Sequence, residues 1–123
     1  MSRALKAPPS AEDELPLTPA VFNILLALAD GEKHGYAIMQ EVAADTDGAI
    51  RLGPGTLYGS LDRLERAGFV EESDTRPAAK DDDERRRYYR LTDFGRRVLR
   101  AEVARLQQSV ATARRKRLLV TTN

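Results

Sequence analysis

Apolar residues recur at helical spacing in four stretches of the chain and alternate over two short ones, and the residues between them mark where each element begins and ends. Val21, Ile24, Leu25 and Leu28 share one side of a helix that opens at Thr18 as N-cap, with Pro19 at its first position, and stops before Gly31. Ile38, Met39 and Val42 supply the apolar face of a second helix, from about His34-Gly35-Tyr36 to Ala44, ended by Asp45-Thr46-Asp47-Gly48. Ile50-Arg51-Leu52 reads as a short extended piece. Gly53-Pro54-Gly55-Thr56 then turns the chain into a third helix that buries Leu57, Leu61 and Leu64 and closes at Gly68. Residues 69–73 and 87–91 read as the strands of a hairpin whose connection is polar, with Pro77 and the acidic Asp81-Asp82-Asp83-Glu84. Thr92 caps a long last helix, favoured by Asp93 in its first turn, in which Leu99, Val103, Leu106, Val110 and Ala113 recur at steps of four and three.

The order helix, helix, strand-like turn, helix, hairpin, long helix is that of a winged helix-turn-helix domain, mainly α with a small β-hairpin, followed by a long C-terminal helix. Residues 1–16, with Pro8, Pro9, Pro16 and Glu12-Asp13-Glu14 and no apolar period, read as a flexible N-terminal arm. Residues 17–92 form the winged-helix unit, 93–117 a dimerisation helix and 118–123 a loose tail.

Composition narrows the function. A chain of 123 residues, 41% hydrophobic, buries one modest core, and 32% charged residues with a net charge of +1 make the placement of charge more informative than its sum. There is no cysteine and only one histidine. Disulfides, thiol chemistry and a histidine metal site are therefore excluded, and no Walker-type loop or metal-spaced ligand set stands in their place, so neither a cofactor nor an enzyme activity is expected. The first ten residues lack the apolar core of a signal peptide, and the longest apolar stretch, 21–29 with Asn23 inside it, is too short to span a bilayer. A soluble, cytoplasmic protein without membrane contact is expected.

Three stretches in order carry a family resemblance: His34-Gly35-Tyr36-Ala37-Ile38, then Gly55-Thr56-Leu57-Tyr58-Gly59-Ser60-Leu61-Asp62-Arg63-Leu64-Glu65-Arg66-Ala67-Gly68, then Arg86-Arg87-Tyr88-Tyr89-Arg90-Leu91-Thr92-Asp93-Phe94-Gly95. From about Thr18 to Leu99 the chain resembles the PadR family of transcriptional regulators, and its single C-terminal helix resembles the short branch of that family. The resemblance implies a repressor-like homodimer on double-stranded DNA: the third helix enters the major groove, the wing touches flanking backbone and the last helix pairs the subunits.

The chemistry of the third helix fits that role. With its leucines turned inward, Thr56, Gly59, Ser60 and Arg63 lie largely outward, with Arg66 further along. Small residues admit the backbone close to base edges, hydroxyls bond phosphate or bases, and Arg63 can fork onto a guanine. Pro54 and Gly55 open the helix, where free amides suit phosphate. Asp62 either accepts from a cytosine or orients Arg63, and Tyr58 is either packed or a phosphate contact. Lys33, His34, Gly35 and Tyr36 sit at the start of the second helix, a further place for an anion. In the wing, Arg85, Arg86, Arg87 and Tyr88 are DNA candidates, with Arg86, Tyr88 and Arg90 outward and Tyr89 and Leu91 on the core; in the competing reading these arginines pair with the acidic tip.

The last helix would run about 37 Å at roughly 1.5 Å per residue. Leu99, Val103, Leu106, Val110 and Ala113 would be exposed in a monomer, so they are the expected dimer interface; the other reading docks this seam on the chain's own first helix. A two-fold dimer implies a palindromic operator with half-sites about 34 Å apart. PadR relatives respond to small aromatic or amphipathic effectors at the dimer interface, and Leu99, Val103 and Leu106 would line such a site if it opens, although a packed core is the default. A winged-helix interaction module for protein or RNA is the alternative to DNA binding.

Overall fold

A computed structural model describes residues 10–73 and 87–119. Helix α1 spans Pro19–Ala27 and starts where Thr18 Oγ1 accepts the Val21 amide at 3.2 Å. A two-residue strand β1, Lys33–His34, leads straight into α2, Gly35–Asp45, whose cap is the His34 side chain: Nδ1 accepts the Ala37 amide. Helix α3 covers Pro54–Arg66. Two residues past its end, Gly68 has a φ of +85°, in the left-handed region that glycine enters without strain, and this turn lets the Phe69 amide bond back to Leu64 O. Strands β2, Val70–Glu72, and β3, Tyr88–Leu91, follow, and α4 runs from Asp93 to Arg115.

The three strands form one antiparallel sheet in the order β1-β3-β2, with Lys33 opposite Tyr89 and Glu71 opposite Arg90. Residues 50–52, expected to be extended, are not a strand of this sheet. The strand is instead Lys33–His34, because those residues lie along the free edge of β3, whereas Ile50 and Leu52 contribute their side chains to the core. That core joins Ile24 and Leu25 of α1 with Leu28 just past its end, Ile38 and Val42 of α2, Leu57, Leu61 and Leu64 of α3, and Phe69, Val70, Tyr89, Val98 and Leu99.

One corner sets where α4 leaves the core. Thr92 Oγ1 donates to Gly68 O and accepts the Gly95 amide at 2.9 Å, while the Thr92 amide donates to Phe69 O. Gly95 is buried against the Phe69 carbonyl so closely that any Cβ would overlap it. A side chain at position 95 would therefore lever the whole helix away from the sheet.

Residues 10–16 are not the arm expected of them. Ala11–Glu14 form a 3-10 turn beside α4, Leu15 and Leu17 pack on the core, and the Leu17 amide donates to Glu102 Oε2 at 2.9 Å. Glu102 is 1% exposed, and Arg105 grips its carboxylate through Nε at 2.6 Å and Nη2 at 3.0 Å. These bonds to Arg105 first, and then the Leu17 amide, hold the Glu102 carboxyl below its ordinary value against the opposing effect of burial. Among the described residues no helix is long and apolar enough to cross a membrane.

A carboxyl with a lowered folded-state pKa adds stability above its unfolded value, about 4.3, and that stability is lost as the pH falls through the folded value. Glu102→Gln should therefore be less stable than the native chain at neutral pH, with a shallower loss of stability below pH about 4. Its strap, residues 10–17, should be cut faster by a protease. Denaturation curves across pH check this, and parallel pH profiles for the two proteins would refute it.

Candidate nucleic-acid interface

The outer face of α3 is built by subtraction. With Leu57, Leu61 and Leu64 buried, Pro54, Gly55, Thr56, Arg63 and Arg66 are exposed and Gly59 is half-buried. Ser60 departs from the expectation: it is only 5% exposed. Three residues past Leu57, it falls about 60° round the helix from that leucine and so on the flank of the buried stripe. Its hydroxyl accepts from Arg63 Nη2 at 3.3 Å. Asp62 does not orient Arg63; its charge is felt instead by Arg87 of the hairpin.

At the start of α2 the expected anion contacts are largely committed to the fold. Lys33 Nζ donates to Ala27 O at 2.6 Å, pairs with Asp30 and lies 3.5 Å from Glu41. Burial opposes the charge on that ammonium, but the two carboxylates outweigh it and raise the Lys33 pKa. Gly35 is buried and leaves the space that the Tyr58 hydroxyl end fills, so Tyr58 is a packing residue holding α3 against α2. His34, its Nδ1 engaged in the cap, stacks parallel to Tyr36 with centroids 6.4 Å apart and meets the Tyr88 ring edge-on at 5.4 Å. Tyr36 is 56% exposed and is the member of this group open to solvent.

The hairpin follows the expected alternation: Tyr89 is buried, Leu91 packs on the core and Arg90 is exposed. Among the described residues, Arg87 and Arg90 pair with glutamates of β2; the acidic tip of the competing reading lies outside the described residues. Arg90 Nε meets Glu71 Oε2 at 2.9 Å and Arg87 Nε meets Glu72 Oε2 at 3.4 Å. A hydrogen bond to the Tyr89 hydroxyl, and after it the Glu72 charge, raises the Arg87 pKa, while burial raises that of Tyr89. Arg85 and Arg86 lie outside the described residues.

The seam of α4 divides. Leu99 belongs to the chain's own core, as the docked reading of that helix had it, whereas Val103 at 42% and Val110 at 41% are exposed and Leu106 and Ala113 are half-buried. Beside this region a cleft of about 280 Å³ is lined by Leu17, Pro19, Phe22, Asn23, Glu102, Arg105 and Leu106. Sequence reasoning missed Glu102 as a structural residue, although an acid three residues after Leu99 on an apolar stripe marks a buried carboxylate in need of partners.

Residues 24–101 match the profile of the family described as Transcriptional regulator PadR-like. The chain is 37% identical over 86 residues to a transcriptional regulator of Mycobacterium tuberculosis, an alignment covering 70% of this chain and 74% of that protein. It is 44% identical over 79 residues to an uncharacterized transposon protein of Streptomyces fradiae, covering 64% of this chain but 20% of that one. Among solved structures, Bacillus subtilis PadR in complex with operator DNA superposes with a TM-score of 0.59 at 25% identity, over 72% of this chain and 47% of that one.

The His34 cap ties the aromatic group to the second helix, and its removal has a measurable consequence. His34→Ala should lower the unfolding free energy by about 1 kcal/mol, and His34→Asn, which restores an acceptor to the Ala37 amide, should recover part of that. Chemical denaturation of the three proteins checks it; an alanine variant as stable as the native chain would show that the cap contributes nothing.

Proposed function

This chain belongs to the PadR-like family of transcriptional regulators, and from that membership we propose that it is a repressor that binds a palindromic operator in duplex DNA as a homodimer. The observation that carries the proposal is the outer face of α3: a helix anchored by three leucines whose exposed residues are small at its start, Pro54, Gly55 and Thr56 with a half-buried glycine next, and then Asp62, Arg63, Glu65 and Arg66, so that the first turns of its backbone are open to a groove. The likeness to a PadR protein held on operator DNA supports the same placement. In this reading Thr56 and the amides around Gly55 contact phosphate, Gly59 admits close approach and Arg63 reads guanine. Tyr36 and Tyr88 extend the face toward the wing. Lys33, His34, Gly35 and Tyr58 act indirectly, by holding α2, α3 and β3 in register.

Arg87 and Arg90 of the wing must exchange a glutamate for a phosphate when they touch DNA. Each exchange returns less free energy than the capture of phosphate by an unpaired arginine. Residues 17–92 are the DNA-reading unit in this proposal, with the first turns of α4 completing its core, and the distal part of 93–117 is the dimer contact. Val103, Leu106, Val110 and Ala113 form that contact and Leu99 supports it from behind. A small aromatic or amphipathic effector has the cleft between α1 and α4 within reach, which shares Leu106 with the lining expected from sequence. The protein works in the cytoplasm.

Selection from random duplexes, followed by titration at several salt concentrations, tests the DNA reading. A preferred site with two-fold symmetry and affinity that falls steeply with salt are expected. Arg63→Ala should weaken the preferred site by about 1–3 kcal/mol and random duplex far less. Glu71→Gln with Glu72→Gln should tighten binding to every duplex. Absence of both sequence preference and salt dependence would remove the proposal.

The dimer has its own test. Light scattering should give twice the 13.7 kDa chain mass, and Val103→Glu with Val110→Glu should give the single chain with its thermal midpoint largely retained, because both side chains are exposed in the isolated fold. A native chain that stays single at high concentration would refute the pairing.

A further inference from the structure

On the outer side of α3, Arg63 donates from Nη2 to the hydroxyl of Ser60, one turn back. Three features turn this contact into a support. Ser60 is buried beside Leu57, Leu61 and Leu64, so the accepting oxygen cannot swing away with the solvent. Helical side chains lean toward the N-terminus, so Arg63 lies back along α3 with its guanidinium passing over Gly59; a Cβ built there would lie 3.8 Å from Nη1. That direction carries the charge toward Thr56 and Gly55, the end of a recognition helix that meets base edges in helix-turn-helix docking.

An arginine reads guanine by presenting two parallel N–H groups, and an unsupported one reaches neighbouring phosphates as readily. One of the five N–H groups of Arg63 goes to Ser60, which leaves both hydrogens of Nη1 and the second hydrogen of Nη2 for O6 and N7 of a base. We propose that Ser60 is a positioning residue for sequence reading: too buried to meet DNA itself, it holds the Arg63 fork in one orientation while Gly59 keeps the path of that side chain clear. This rests on the DNA-reading role of α3.

The experiment uses the full chain and the duplex selected by the native protein, together with its single base-pair variants and a random duplex, for native, Ser60→Ala, Arg63→Ala and the double variant. Arg63→Ala should erase discrimination at one base pair in each half-site. Ser60→Ala should reduce discrimination at that same pair about fivefold, with random-duplex affinity, salt slope and thermal midpoint unchanged, and should add nothing in the Arg63→Ala background.

A Ser60→Ala protein that discriminates as well as the native one, or one that loses affinity equally when Arg63 is already absent, overturns the inference while leaving DNA reading intact. So does an Arg63→Ala protein that keeps its full discrimination. A native chain that selects no sequence from random duplexes removes the DNA-reading role, and the positioning role falls with it.

Discussion

Rotation of α3 about its own axis decides what its outer face can touch, and that rotation is held by Leu57, Leu61 and Leu64, which enter the shared core as the helix packs against α2 and β2. Three large side chains on one stripe, each nearly or fully removed from water, leave the helix no alternative seating of comparable energy, because turning it by one residue would expose about two leucines at roughly 2 kcal/mol each. The consequences run outward in steps. Ser60, on the flank of the stripe, goes under; Gly59 lies on the side opposite it; Arg63 and Thr56 emerge. Tyr58 is carried round to the α2 side, where the missing side chain of Gly35 receives it. The chemistry of the exposed face is therefore a by-product of core packing, which fixes where each polar side chain leaves the helix.

The second layer of the structure is electrostatic, and it works toward moderation. Acids stand beside most of the described cations near the proposed DNA face: Asp30 and Glu41 at Lys33, Glu72 at Arg87, Glu71 at Arg90. The pairs at Arg87 and Arg90 are exposed on both sides and add little stability in water. They do set the strength of a polyanion contact, since each cation is already half-satisfied before phosphate arrives. A chain with net charge of only +1 and a face arranged in this way suits selective binding, where affinity must come from fitted base contacts because diffuse attraction is weak.

Much of this architecture can be read from local signals. Thr18 with Pro19, Thr92 with Asp93, and Gly68 after an apolar run each mark a helix end within a few residues, and all three behave as their chemistry dictates. The hairpin alternation around Tyr89 is equally local. What escaped reading depends on residues far apart in the chain. Leu17 and Glu102 are 85 positions apart, so nothing near residues 10–16 announces that a buried carboxylate will tie them down. Strand β1 needs the edge of β3 to exist, and the commitment of Lys33 to Ala27, Asp30 and Glu41 appears only once α1 and α2 are packed. Ser60 is the exception: its burial follows from helical geometry, since a small polar residue three positions past Leu57 lies on the flank of the buried stripe and not outward with Thr56 and Arg63.

Helix α4 shows how one element serves two surfaces that compete for the same residues. Its first half is spent on the fold: Gly95 against Phe69, Val98 and Leu99 in the core, Arg97 over the Phe94 ring at 5.5 Å, Arg96 reaching Ala29 O. Burial ends at Glu102, and the apolar period continues into solvent through Val103, Leu106 and Val110. Beyond Arg105 and Leu106 the helix gains little for its own chain, and an isolated helical extension is marginal in water unless its apolar face is covered. The strap at residues 10–17 lies across the changeover and is fixed there by Glu102 and Arg105. Any second chain laid along the distal helix would meet Leu106 and the cleft bounded by Leu17 and Phe22. Glu102, bonded to Leu17 just ahead of α1 and to Arg105 on α4, thus ties the entry of the first helix to the point where the last one leaves the core.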